Sequence, residues 1–121
     1  MTWEVFLLLS LLGIKHFLAD FVFQYDYMVK EKGIYGALGG IHHAAFHASL
    51  TFFVLLIVAS SSALVIPLAV ADGLIHYHID WLKQQLNRGL TPADRKFWIW
   101  LGADQAAHYL TYIAIIEIIT Q

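Results

Sequence analysis

The chain has 121 residues, room for one domain, of which 60% are apolar and 13% charged. That charged share is about half that of an ordinary soluble domain, and a short water-soluble chain needs abundant polar residues to cover its surface, so the mean hydropathy of +0.65 points to an exterior facing lipid. A net charge of −2 supplies no basic stripe for a phosphate backbone, which argues against nucleic-acid partners, and the lack of cysteine excludes disulfides, thiolate metal sites and cysteine nucleophiles.

Four segments are long and apolar enough to span a bilayer, which takes roughly 20 residues. The first runs from about Trp3 to Gln24, the second from about Gly36 to Ala59, the third from about Ala63 to Leu86 and the fourth from about Lys96 to Ile119. The start of the chain has no basic run before its apolar residues and no clean small-residue cleavage site, so it reads as a retained helix rather than a signal peptide. The stretch from Tyr25 to Tyr35 is a polar, charged connection, and Ser60, Ser61 and Ser62 suit a tight helical hairpin. In the third connection, Thr91 is the expected N-cap, with Asp94 three residues later in capping-box spacing. Pro67 falls in the first turns of the third helix, where its missing N–H costs least. The expected fold is all-α: one domain over residues 1–121, a four-helix transmembrane bundle running up-down-up-down.

The basic residues set an orientation. All of the lysines and arginines except Lys15 lie in or beside the first and third connections. The positive-inside rule then places those connections in the cytoplasm and both termini outside, in a multi-pass protein of the cell (inner) membrane. Tyr25, Tyr27, Tyr35, Trp81, Trp98 and Trp100 gather near the same side, as an interfacial aromatic belt does.

Each apolar segment is interrupted by a pair of polar residues four apart: His16 and Asp20, His43 and His47, His76 and Asp80, Asp104 and His108. That spacing puts both members of a pair on one helix face, one turn apart. Counted from the helix ends at about 1.5 Å per residue, the pairs fall in one layer roughly 10–15 Å below the cytoplasmic edge. Ionisable groups inside a membrane normally face the protein interior and mark function. Lys15 is the only basic residue expected near the layer, so opposite charge alone does not balance it and a divalent metal would. Imidazole nitrogen with carboxylate oxygen and no thiolate suits zinc first, with iron or manganese as alternatives, and the number of candidate ligands favours two ions.

Other polar residues extend the pattern. Asp72 lies one turn from His76 on the same face, open to a role as ligand or as orienter of a ligand. His42 and His78 fall off their stripes and suit supporting or interface roles. Gln24 continues the first stripe toward the cytoplasm and Lys83 follows Asp80 by three residues; both are placed near a substrate, Lys83 either holding an anionic head group or snorkelling to the interface. Gly36, Gly40 and Ala44 form a small-residue ridge for close helix packing.

The segments His16-Phe-Leu-Ala-Asp20-Phe-Val-Phe-Gln24, His43-xxx-His47, His76-xxx-Asp80-xx-Lys83 and Asp104-Gln105-xx-His108 together resemble a family. It is that of the small bacterial and phage membrane proteins grouped as domain of unknown function 3307. The resemblance covers nearly the whole chain and implies a multi-pass membrane protein without a settled activity. A looser similarity, in histidine-rich membrane helices, links it to membrane-bound metal-dependent hydrolases.

Four functions follow from the layer. The first is a metal-dependent hydrolase of a lipid-linked or other phosphoester, with the four pairs as ligands and the bilayer, and a second copy of the chain, as partners. The second is a di-iron oxidase or hydroxylase on the same ligands. A metal or proton conduit is the third, and it is disfavoured because Phe6 to Leu12, Phe52 to Val58, Leu64 to Val70 and Tyr112 to Ile116 are almost wholly apolar on the outer side. The fourth is a non-catalytic subunit whose polar stripe joins its helices.

Overall fold

The computed structural model describes residues 2–121, which form helices and no strand. Helix α1 spans Trp3–Phe17, with the Thr2 side chain accepting a hydrogen bond from the Val5 N–H and Glu4 in the first turn. Both features favour a helix start, one by satisfying a free N–H and the other by placing negative charge at the positive end of the dipole. The helix then widens into a π turn over Leu18–Val22, closed by the Phe23 N–H on the Leu18 carbonyl at 2.8 Å. Asp20 sits in that turn.

The first connection is more ordered than its polar composition implies. It contains a short helix, α2, over Asp26–Glu31, capped by Lys32. Gly36 follows with φ +83°, a left-handed conformation that side-chain-bearing residues rarely adopt. Helix α3 therefore begins at Leu38 and runs to Ala59, so Gly36 forms the turn and does not belong to the packing ridge expected of it. Helix α4 covers Val65–Leu86 with Pro67 in its first turn, and α5 covers Arg95–Ile119. The N-cap of α5 is Asp94 rather than Thr91. The contact expected of the Thr91–Asp94 pair still forms, the Thr91 N–H and hydroxyl donating to the Asp94 carboxylate at 2.7 and 3.0 Å. It closes a turn ahead of the helix, with the Asp94 N–H on the Thr91 carbonyl at 2.9 Å. The two Thr91 donors hold the Asp94 carboxyl below its ordinary value.

The four long helices touch in cyclic order: α1 packs on α3, α3 on α4, α4 on α5 and α5 on α1, while α2 lies on α3. Close approach of α3 and α4 depends on Gly73, where a Cβ would come within 2.8 Å of the Ala48 Cβ. The interior is divided by chemistry along its length. At one end Leu8, Leu12, Val54, Leu55, Val65, Leu68, Ile115 and Ile116 make an apolar core closed by Tyr112. Beyond it, buried ionisable residues from all four long helices fill the interior.

The outer surface has the reverse character. Large apolar side chains point outward on every long helix, with Phe53, Ile57, Ile66, Leu110 and Ile113 all more than half exposed. Two helical stretches, Trp3–Val22 and Leu38–Ala59, are long and apolar enough to cross a membrane. Helices α4 and α5 are as long, with 22 and 25 residues, but carry more ionisable side chains within their length.

Candidate functional site

The side chains of His16, Asp20, His43, His47, His76, Asp80, Asp104 and His108 meet in one buried cluster. The i, i+4 pairs of α3, α4 and α5 present their members to the same interior face, and the π turn brings Asp20 there one turn beyond His16. Three overlapping groups have their ligand atoms within 4.8 Å of one another: Asp20, His43, His47 and His76; His16, His76 and His108; and Asp80, Asp104 and His108. His76 and His108 each belong to two groups and join them into a continuous set.

Two carboxylates organise the centre. One oxygen of Asp20 lies 2.8 Å from His47 Nε2, 3.1 Å from His43 Nε2 and 3.8 Å from His76 Nε2, and its other oxygen lies 3.2 Å from His16 Nε2. Asp80 reaches His43 and His76 through one oxygen, at 3.3 and 3.4 Å, and His108 through the other at 3.3 Å. The Nε2 atoms of His43 and His76 are themselves only 3.2 Å apart. Asp104 stands 3.5 Å from His108 Nε2, and its Oδ1 is buried without a hydrogen-bond partner.

The contacts around Asp20 at 2.8–3.2 Å are hydrogen-bond distances, but those around Asp80 are longer and match ligands sharing a cation. Neutral N–H···O bonds cluster at about 2.9–3.0 Å, whereas tetrahedral ligands held at about 2.0–2.1 Å from zinc lie about 3.3 Å from one another. The contacts of His43, His76 and His108 with Asp80, and of His43 with His76, fall at 3.2–3.4 Å. The donor set, nitrogen and oxygen without sulfur, fits the same class of ion.

A family model described as "Protein of unknown function (DUF3307)" matches residues 7–121. The chain belongs to that family. No curated protein and no solved structure matches it. In this DUF3307 chain the matched region includes every residue of the cluster.

Around the cluster, two lysines are buried rather than one. Lys15, only 4% exposed, donates to Asp72 at 2.9 Å and to His47 Nδ1 at 3.2 Å. Asp72 also accepts from the Thr51 hydroxyl, and it lies outside all three ligand groups. Lys32, only 6% exposed, donates to Asp80 at 3.1 Å and to the Gln24 side-chain oxygen at 2.8 Å. The reading that Lys15 alone brings positive charge to the layer is therefore corrected. Lys32 looks like a solvated loop residue in the sequence, because Lys30 and Glu31 adjoin it. It turns inward because α2 folds over the end of α3, where Gly39 and Gly40 leave room for it. A Cβ at Gly39 would meet the Tyr27 carbonyl at 2.6 Å, and one at Gly40 would meet the Lys32 Cα at 3.2 Å.

The remaining candidates lie at the edge of the cluster or outside it. Gln24 touches it through Lys32 and through the Asp20 carbonyl, to which it donates. Lys83 lines a crevice of about 200 Å³ between α4 and α5, with Leu82, Leu86, Trp100 and Asp104. His42 and His78 are exposed and meet the hydroxyls of Tyr27 and Tyr35, at 3.1 and 3.0 Å. They tie the first connection to α3 and α4.

Proposed function

We propose that the chain is a multi-pass membrane protein whose buried cluster holds divalent metal near the cytoplasmic face and hydrolyses a phosphoester, borne by a lipid of that leaflet. The observation carrying this reading is the meeting of eight nitrogen- and oxygen-bearing side chains from four helices at spacings suited to a cation. The membrane reading is supported by the inverted surface, with ionisable groups inside and large apolar groups outside. The basic residues of the first and third connections favour a cytoplasmic position for that end, with both termini outside and four spans in all.

Charge supports the metal. Four buried aspartates, Asp20, Asp72, Asp80 and Asp104, face two buried ammonium groups, Lys15 and Lys32. Neutral imidazoles leave two negative charges over, and burying them uncompensated costs several kcal/mol each. A divalent ion offsets both. Zinc fits the donors, with iron or manganese as alternatives, and the two ends of the cluster offer places for two ions, the second balanced by anionic ligands such as hydroxide or the substrate phosphate.

When bound, such an ion supplies Lewis acidity toward a phosphoryl oxygen and lowers the pKa of a water. The chain's own groups do the rest. Asp20 and Asp80 orient the imidazoles, and Lys32 retains a third N–H for a phosphoryl oxygen after donating to Asp80 and Gln24. The apolar core beyond Tyr112 closes the site on its far side.

The same charge count favours a second reading, in which two imidazolium protons replace the ion and the chain is a non-catalytic, proton-binding subunit. Hydrolysis separates the two. Chelator-stripped protein in detergent is expected to cleave p-nitrophenyl phosphate or micellar phosphatidate only after Zn²⁺ or Mn²⁺ is restored, and Asp80→Asn is expected to lower the rate by about 100-fold or more. Metal-independent rates, or no cleavage of either substrate with any of these ions, would contradict the hydrolase reading.

A further inference from the structure

The five buried imidazoles are not equivalent, and their hydrogen-bond partners sort them. Lys15 Nζ is held by Asp72 at 2.9 Å and lies 3.2 Å from His47 Nδ1. An ammonium group donates and never accepts. His47 Nδ1 must therefore be the acceptor, which places the ring proton of the neutral imidazole on Nε2. That nitrogen is 2.8 Å from Asp20 Oδ1, the shortest contact Asp20 makes with an imidazole and a good N–H···O distance.

His16 carries the same signature through different partners. Its Nε2 faces two acceptors, the Gln105 oxygen at 3.1 Å and Asp20 Oδ2 at 3.2 Å. The Gln105 amide is oriented by donating its nitrogen to Asp104 Oδ2 at 3.0 Å, which leaves its oxygen toward His16. The proton of His16 is then on Nε2, and Nδ1 accepts from the Tyr112 hydroxyl at 2.8 Å.

His43 and His76 differ. Their Nδ1 atoms are buried without a hydrogen-bond partner among the described residues, and their Nε2 atoms face each other at 3.2 Å. Nothing on the Nδ1 side sets their tautomer, so the Nε2 lone pairs are free to face a cation.

We propose that Lys15 and Gln105 act as positioning residues that fix His47 and His16 as N–H donors to Asp20, so that metal is held by His43 and His76 with Asp20 and Asp80 at one end of the cluster and by His108 with Asp80 and Asp104 at the other. This assignment rests on the metal reading, and it narrows the ligand set from eight side chains to six. Asp20 is the hinge between the halves: it receives two N–H groups from one side and offers charge to the ion on the other. Fixing a carboxylate ligand in this way is the role outer hydrogen bonds play at metal sites.

Nitrogen NMR of the histidine-labelled, metal-free protein tests the tautomers directly. His47 and His16 are expected to show an unprotonated Nδ1 and a protonated Nε2. The double variant Lys15→Met/Asp72→Asn, which leaves no unpaired charge, is expected to return His47 to a tautomer mixture. A protonated Nδ1 on wild-type His47 would overturn the assignment. Zn²⁺ content and X-ray absorption then test the ligands. His47→Gln, which keeps an N–H donor near the position of Nε2, is expected to retain wild-type zinc content and nitrogen count with affinity reduced by no more than about 10–100-fold. His43→Gln and His76→Gln are expected to lose a nitrogen ligand. If His47→Gln loses a zinc-bound nitrogen as His43→Gln does, this inference falls and the metal reading stands. If the wild type binds no metal, the metal reading and this ligand set fall together, while the NMR spectrum still decides whether Lys15 orients His47.

Discussion

At the scale of single residues, the lysines carry as much of the account as the histidines. Lys32 lies against Asp80 with almost no exposure, and removing one partner of a buried pair strands the other charge. Lys32→Met is expected to destabilise the metal-free protein by about 3–5 kcal/mol, with part of that loss recovered when zinc is added. Denaturant titration in detergent measures both, and an equal loss with and without zinc would show that Lys32 and the ion do not share Asp80. His16, Asp20, His43, His47, His76, Asp80, Asp104 and His108 were legible in the sequence because an ionisable pair stands out in an apolar helix, and helical spacing tells which way it points. Lys32 was not, since its burial depends on a loop folding back over α3. The distinct roles of His16 and His47 were not legible either, because they depend on partners 32 residues away in one case and 89 in the other.

At the scale of elements, periodic apolar segments gave helix ends that the structure reproduces at Ala59, Leu86 and Ile119. The starts were less readable. Glycine at position 36 delays the start of α3 to Leu38 through a left-handed turn, whereas α5 starts at Arg95, within one residue of the expected Lys96, and only its N-cap moves, from Thr91 to Asp94. The π turn at Asp20 has no signature in its sequence; within it Asp20 faces His16, His43 and His47. Gly73 has no signature in the sequence either, although it sets how closely α3 and α4 approach. Gly73→Ala would bring a methyl group within 2.8 Å of the Ala48 Cβ and 3.2 Å of the Ala44 carbonyl. The helix-propensity gain of about 1 kcal/mol is offset by overpacking, which costs about 1–3 kcal/mol. A net loss of stability is expected in thermal unfolding, accompanied by weaker zinc binding because His43 and His76 sit on those two helices. A variant as stable as wild type would show that the helices can separate freely.

At the scale of the whole molecule, the fold is inverted relative to a soluble protein: large apolar side chains cover much of its outside, and about half of its buried side chains are polar or ionisable. The proposed orientation can be read with single cysteines, since the chain has none of its own. Ser61→Cys is expected to react with an impermeant maleimide added outside intact cells, and Arg88→Cys only after the membrane is opened. The reverse pattern would invert the topology and put the cluster near the outer face. The central claim is that the buried cluster holds a divalent metal, and elemental analysis of detergent-purified protein, prepared without chelators, tests it most directly. One to two equivalents of zinc, iron or manganese per chain are expected in the wild type, with a clear loss in Asp80→Asn; a wild-type protein that is folded yet holds no stoichiometric metal would contradict a metal-binding cluster.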